Sequence, residues 1–193
     1  EGLVPDIAPE YTVFGGGFRD SPEWGSAVVI NPWHVAQTYG DTSLLRDHFD
    51  VMEKYVAYLG SKAKARIVAH GLGDWYDIGP RGPGESQLTS RGVTATATWY
   101  QDITVLRDAA RLLGRDVDAH RYAALADDVR AAFNAAFFKA DAGHYDRNSQ
   151  TANAMPLVLG LVPEERRAEV LQNLVRNVRA GRNRVTAGDV GFI

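Results

Sequence analysis

The sequence predicts an all-α fold made of αα-hairpin repeats, and three observations carry that prediction. A helical stretch free or nearly free of formal charge is followed by a turn and an amphipathic helix, and this order recurs three times. No period-two alternation of useful length marks a strand. The longer connections all follow the amphipathic helices, so they emerge at one end of the array, where the next uncharged helix begins. In a closed ring of such hairpins the uncharged helices would be wrapped by the others, and that end would carry the site.

Composition narrows the function classes. The chain has 193 residues, 45% of them hydrophobic and 23% charged, with a net charge of -3, which is ordinary globular composition. The slight acidity gives no electrostatic case for nucleic acid or an anionic membrane. Without cysteine there are neither disulfides nor thiolate metal sites. No apolar run approaches the roughly 20 residues that span a bilayer. Glu1 opens the chain without a methionine, and Thr186 to Ile193 reads as the start of a further element. Residues 1–193 are therefore expected to be a piece of one larger domain, truncated at both ends.

Residues 1–24 carry Pro5, Pro9, Gly15-Gly16-Gly17 and Pro22, breakers at short intervals that predict an irregular segment. The triple glycine lacks the preceding strand and the spacing of a nucleotide fingerprint, and no cofactor motif is read anywhere. Ser26 to Tyr39 contains no Asp, Glu, Lys or Arg, which predicts a helix enclosed on nearly every side, with Pro32 kinking it or marking its first turn. Gly40 stops it, and Asp41 is a good N-cap for the next helix. That helix places Leu45, Phe49 (or His48), Met52, Tyr55 or Val56, and Leu59 on one face.

After a central loop over about 61–92, Thr94 to Leu113 puts Trp99, Ile103, Leu106, Ala110 and Leu113 on one face and carries no charge before Asp102. Gly114 ends it, with Arg111 suited to the helix dipole. Asp116 or Asp118 is expected to cap the partner helix, with Tyr122, Leu125, Val129, Phe133 and Phe137 inward. A short turn over Asp141 to Tyr145 follows. Ser149 to Gly160 is again uncharged, with Pro156 inside. Pro163, Glu164 and Glu165 open the last helix, whose stripe is read as Val170 or Leu171, Leu174, Val175 and Val178, with Arg176 and Arg179 in its last turn and Gly181 closing it.

The central loop is where function is expected. Val68 to Pro80 packs two carboxylates, two large aromatics and three glycines into thirteen positions. An aromatic face beside carboxylates suits a sugar, whose apolar face stacks on the ring while its hydroxyls bond to acceptors. The competing reading has Trp75 plugging a core while Asp74 and Asp77 cap turns. Asp20, Glu23 and Trp24 repeat the pattern of acids beside an aromatic ahead of the first uncharged helix. Trp33 and Trp99 lie inside helical stripes and are read as core. Gln150 and Asn153 either point into the centre of the ring or satisfy buried backbone near Pro156. The five histidines show no ligand spacing, so no metal site is read. His34 is expected to be a hydrogen-bonded core residue, and His48 and His120 lie on charged outer faces.

Pro22-Glu23-Trp24-Gly25-Ser26-Ala27, then Pro32-Trp33 and Tyr39-Gly40-Asp41, resembles a segment of bacterial α-L-rhamnosidases of the six-hairpin glycosidase group. Gly71-Leu72-Gly73-Asp74-Trp75 and the turns at Leu112-Leu113-Gly114 and Thr186-Ala187-Gly188 follow in the same order. The resemblance implies an (α/α)6 barrel, or toroid, of which three hairpins are about half, and an enzyme removing terminal α-L-rhamnose with inversion. An inverting reaction needs two carboxyls roughly 6.5–9.5 Å apart. By the family's residue order, the general acid lies upstream of Trp24 and the general base beyond Ile193, so this chain supplies recognition. The resemblance makes Trp24 and Trp75 aromatic walls for the sugar, and it has Asp74 and Asp77 bond its hydroxyls or orient the loop. Many relatives carry Asp where this chain has Ser26, so another acid (Asp20 or Glu23) takes over, or specificity is altered, or activity is lost.

Two alternatives remain open from the residues. One keeps the toroid and changes the substrate, as in a trehalase- or glucoamylase-like enzyme. The other is a non-catalytic αα-repeat scaffold or carbohydrate-binding protein. Half a toroid leaves uncharged inner helices without neighbours, so residues 1–193 by themselves are expected to be prone to aggregation.

Overall fold

Pro22 at the first helical position opens α1 (Pro22–Gly25), a single turn that hands over to α2 (Ala27–Tyr39) through Ser26. This is seen in a computed structural model of the protein, which describes residues 2–192. Gly40 ends α2 in the left-handed region at φ 69°, its N–H donating to Ala36 O at 3.0 Å. The N-cap of α3 (Ser43–Lys62) is Thr42 rather than the expected Asp41, which stands one residue earlier with its Oδ1 accepting from Ser43 N at 2.8 Å. The buried stripe of α3 is Leu45, Phe49, Met52, Tyr55, Val56 and Leu59, and His48 faces solvent.

The second hairpin pairs α4 (Arg91–Leu112) with α5 (Asp116–Phe137). Every residue from Gly92 to Tyr100 is buried, which makes α4 the central rod of the fold. Its small side chains allow close approach, and Thr96 Oγ1 donates to Val68 O at 2.9 Å while accepting from Val68 N at 3.1 Å. Trp99 is 1% exposed, its indole N–H donating to Val56 O at 3.1 Å, so it is core. Neither Asp116 nor Asp118 caps α5: Arg115 is the N-cap, and its Nε lies 2.7 Å from Asp118 Oδ2. The charge pair draws the Asp118 carboxylate away from the free amides.

Between the second and third hairpins the expected turn is a two-residue antiparallel ladder, β1 (Phe138–Lys139) against β2 (His144–Tyr145). The third hairpin is α6 (Gln150–Val158), N-capped by Ser149 Oγ accepting from Ala152 N, and α7 (Glu164–Ala180). The buried positions of α7 are Val170 and Asn173, whereas Leu171 and Val175 are exposed, so its inner face is turned from the expected stripe. Asn173 sets that rotation by donating through Nδ2 to Ala142 O and Gly143 O in the β turn. A last turn, α8 (Asp189–Phe192), contacts α6.

The inner helices α2, α4 and α6 lie side by side with α4 in the middle, and α3, α5 and α7 flank them on the outside; α2 and α6 carry no formal charge, and α4 carries none from Gly92 to Gln101. This is the expected arc of about half an (α/α)6 barrel. One expectation fails at its edge. Helix α2 buries Val29, Pro32 and Ala36 but exposes Ala27, Asn31, His34, Gln37 and Thr38, because α3 and α4 cover only one of its sides. His34 is thus an exposed residue on the concave face, not a core histidine.

Candidate functional site

The connections after α3, α5 and α7 converge at one end of the arc and are tied to each other. Ser90 N donates to Asp146 Oδ2 at 2.8 Å, Thr89 Oγ1 and Ser149 Oγ are 2.6 Å apart, and Thr186 N donates to Gln150 Oε1 at 2.9 Å. The central loop enters past Gly71, whose φ of 99° and contact with Ser21 and Pro22 exclude a side chain.

Both aspartates of this loop are buried and engaged with the protein. Asp74 Oδ2 accepts from Thr151 Oγ1 at 2.5 Å and Gly188 N at 3.0 Å, and its Oδ1 accepts from Gly191 N at 2.9 Å. Asp77 accepts from Gln87 N at 2.9 Å and Leu88 N at 2.6 Å. Of the two roles weighed for them, the geometry is that of orienting the loop. They hold up Trp75, which is half-buried, meets Phe18 edge-on at 5.2 Å and 83°, and lies 5.0 Å from the exposed Tyr76.

Along the concave face runs a groove of about 680 Å³ between α2, α4 and α6, lined at its loop end by Glu23, Trp24, Thr98, Gln101, Asp189 and Gly191. Glu23 and Trp24 are brought together here, each half-buried. Ser21 Oγ donates to Glu23 Oε2 at 3.0 Å, while Glu23 Oε1 is shut off from solvent with no hydrogen-bond partner. Burial, and secondarily the carboxyl of Asp6, pushes Glu23 up to about 7. Asp6 accepts from Ser21 N at 2.9 Å through Oδ1 and is pushed by burial to about 6.

Asp20 belongs to a different cleft, of about 940 Å³, with Phe14, Lys62, Lys64 and His70. Its carboxylate is held by Tyr58 Oη at 2.6 Å and His70 Nε2 at 3.1 Å. Gln150 and Asn153 satisfy backbone rather than line the groove: Gln150 Nε2 donates to Arg184 O, and Asn153 Oδ1 accepts from Tyr145 N. No cluster of three or more His, Asp or Glu among the described residues is arranged to hold a metal ion. No helix among them is long and apolar enough to cross a membrane.

Sequence reasoning missed Asp6, Ser21, Thr151 and Asp102. Asp6 and Thr151 carry no local pattern, their partners Ser21 and Asp74 lying 15 and 77 positions away, and Ser21 beside Glu23 reads only as a residue ahead of Pro22. Asp102 did leave a signal, as the charge that ends the uncharged run from Gly92 to Gln101 on α4. It is fully buried, and Ser26 Oγ donates to it at 2.5 Å.

The sequence pattern of the bacterial alpha-L-rhamnosidase six-hairpin glycosidase domain matches residues 1–192. The chain belongs to that family. It is 27% identical over 192 residues to an alpha-L-rhamnosidase of Formosa agariphila, covering 98% of this chain and 20% of that protein. To one from Streptomyces avermitilis it is 29% identical, covering 99% of this chain and 17% of the relative. Among solved structures, an alpha-L-rhamnosidase from Dictyoglumus thermophilum superposes on 98% of this chain with a TM-score of 0.86 at 32% identity, over 21% of its own length. The Streptomyces avermitilis alpha-L-rhamnosidase complexed with L-rhamnose has a TM-score of 0.86 at 28% identity, covering 98% of this chain and 17% of its own. The chain therefore spans about a fifth of these relatives. At Ser26, where the resemblance leads us to expect Asp20 or Glu23 to supply an acid, the carboxyl that meets the hydroxyl is that of Asp102 from α4.

Proposed function

We propose that this chain is the sugar-recognition part of a single six-hairpin catalytic domain, in an enzyme that releases terminal α-L-rhamnose from glycosides or polysaccharides with inversion. The observation that carries the reading is the groove end where Trp24 and Glu23 meet, in a chain that aligns from end to end with a relative whose structure holds L-rhamnose. Trp24 offers an apolar face to the sugar, whose C6 methyl suits such a contact. Trp75, braced by Phe18, is the second wall. Asp74 and Asp77 act by fixing the loop that presents it. Asp20, in the neighbouring cleft, meets the part of the substrate that bears the rhamnose. The acid and base carboxyls come from other segments of the domain, following the family's residue order.

The test is release of L-rhamnose from an aryl α-L-rhamnoside by the full-length protein, comparing wild type with Trp24→Ala and Trp75→Ala. A loss of about 2 kcal/mol or more in transition-state terms, with circular dichroism unchanged, supports the two walls. Initial release of the β-anomer supports inversion. Cleavage of other glycosides but not rhamnosides would move the assignment to another toroid glycosidase. A protein that cleaves nothing yet binds sugar would be a carbohydrate-binding relative.

A further inference from the structure

We propose that exposed arginines at the loop end of the arc, Arg81, Arg147 and Arg184 with Arg179 and Arg182 beside them, form a subsite for negatively charged units of the saccharide that bears the rhamnose. The inference rests on the rhamnoside-cleaving reading above and deepens it by naming the substrate class. Its first support is that these cations are left without carboxylates in a chain whose net charge is -3. Elsewhere the arginines are matched with acids: Arg107 and Arg111 with Asp108, Arg121 with Glu53, Arg130 with Asp127. Among the described residues none of the five at the loop end makes an ion pair, and all five are exposed.

The second support is that tertiary structure gathers them. Gln87 joins the first two, its Oε1 accepting from Arg81 N at 2.7 Å and its carbonyl from Arg147 Nη1 at 3.3 Å. Arg184 O accepts from Gln150 Nε2 at 2.9 Å, just after Arg147 in the chain, and Thr186 O accepts from Ile78 N at 3.0 Å, just before Arg81. Asn177 Nδ2 donates to Asn148 O at 2.8 Å, which brings the last turn of α7, with Arg179, to the same place. Arg182 N then donates to Arg179 O at 3.0 Å. A cation at the end of α7 suits the helix dipole, and that accounts for Arg179. It does not account for Arg81 or Arg147, which arrive from other loops.

The third support is that the nearby carboxyls are already engaged. Asp77 is held by the amides of Gln87 and Leu88, Asp146 by Ser90 N, and Glu85 by Arg91. Like charges gathered on one rim repel each other, and a bound anion relieves that repulsion. Guanidinium groups present planar forks of N–H donors that match the paired oxygens of a carboxylate or a sulfate. The rim also adjoins the sugar site. Ile78 follows Trp75 in the central loop, and the segment that leaves Arg184 passes Gly188, bonded to Asp74, and reaches the groove at Asp189 and Gly191.

The experiment compares L-rhamnose release by the full-length protein from three substrates: a rhamnose-capped oligosaccharide containing glucuronate, the same oligosaccharide with its carboxyls reduced to alcohols, and a sulfated form of the reduced one. Wild type is expected to favour a charged substrate over the neutral one about tenfold in kcat/KM at low ionic strength. That preference should fade toward about 1 M salt, where charges are screened beyond about 3 Å. Whichever charged substrate is preferred identifies the anion. Combined Arg81→Gln, Arg147→Gln and Arg184→Gln substitution should bring the charged-to-neutral ratio close to one, and the corresponding Glu substitutions should reverse it. Because the readout is a ratio within one variant, a general loss of folded protein does not mimic it. Equal cleavage of charged and neutral substrates by wild type, or a preference that survives the substitutions, would overturn the subsite and leave the rhamnoside reading standing. Salt-sensitive binding of duplex DNA more tightly than of either charged oligosaccharide would assign the rim to nucleic acid instead. A wild-type protein that releases rhamnose from none of these, nor from an aryl rhamnoside, would remove both readings.

Discussion

Ser26 Oγ and Asp102 Oδ2 are 2.5 Å apart in a place closed to water, joining the turn between α1 and α2 to the middle of α4. Burial holds the Asp102 carboxyl well above the usual carboxylate range, and Tyr55 rather than a cation lies near it. The pair is therefore a neutral hydrogen bond between two inner elements of the arc.

Removing one partner exposes its value. Ser26→Ala leaves a buried carboxyl without its donor and should cost about 1–3 kcal/mol in urea unfolding. Asp102→Asn keeps the shape and an acceptor, and should stay close to wild type at acidic pH. An acid whose folded value is raised stabilises below its unfolded value, and that contribution is lost as pH rises through the folded value. Wild type should thus lose stability toward alkaline pH, and Asp102→Asn should lose less.

Asp74 fastens the Trp75 loop to two other segments, through Thr151 on α6 and the amides of Gly188 and Gly191. Asp74→Ala leaves those amides unpaired and should destabilise the end of the arc by about 2–4 kcal/mol. Hydrogen exchange should show the loss as deprotection confined to Gly188, Gly191 and the central loop, with α4 unaffected. Uniform deprotection would show instead that Asp74 supports the whole core.

Trp99 and Trp75 should separate cleanly. Trp99 is enclosed between α3 and α4, and Gly60 passes close to its ring, a Cβ there reaching 3.3 Å from Cζ2. Trp99→Ala should cost about 3–5 kcal/mol of stability. Trp75, half-buried against Phe18, should cost far less stability and more rhamnoside release. Equal thermal shifts for the two variants would place Trp75 in the core.

Glu23 adds a stability signature independent of activity. Its value rises from 4.5 in the free group to about 7 in the fold, so its contribution is complete below 4.5 and gone above about 7. The loss across that window is at most about 3 kcal/mol. Chemical unfolding at a series of pH values should show it in wild type and show it reduced in Glu23→Gln, with Asp6 retaining a smaller slope of the same sign.

The helices were legible because their information is local. Leu45, Met52 and Leu59 recur at helical spacing, Gly40 can take the left-handed turn, and Pro22 and Ser149 open helices through their own chemistry. The rotation of α7 was not legible, since Leu171 and Asn173 exchange places only through bonds to carbonyls in the β turn. The exposure of α2 depends on which helices stand beside it. Of the candidate site, the types of residue and the loop were visible, while the division of labour among the acids was not.

By itself, then, the sequence determined an all-α chain of three hairpins, its inner and outer helices, and the family to which it belongs, because helical periodicity and short motifs are properties of neighbouring residues. The tertiary structure alone decided that Asp74 and Asp77 face inward to amides, that Asp20 sits in a separate cleft, and that one Glu23 oxygen is shut off from solvent. The physical reason is that a carboxyl's role is set by its burial and its partners. Those partners, from Ser21 beside Glu23 to Gly191 across from Asp74, are chosen by the packing of elements far apart in the chain.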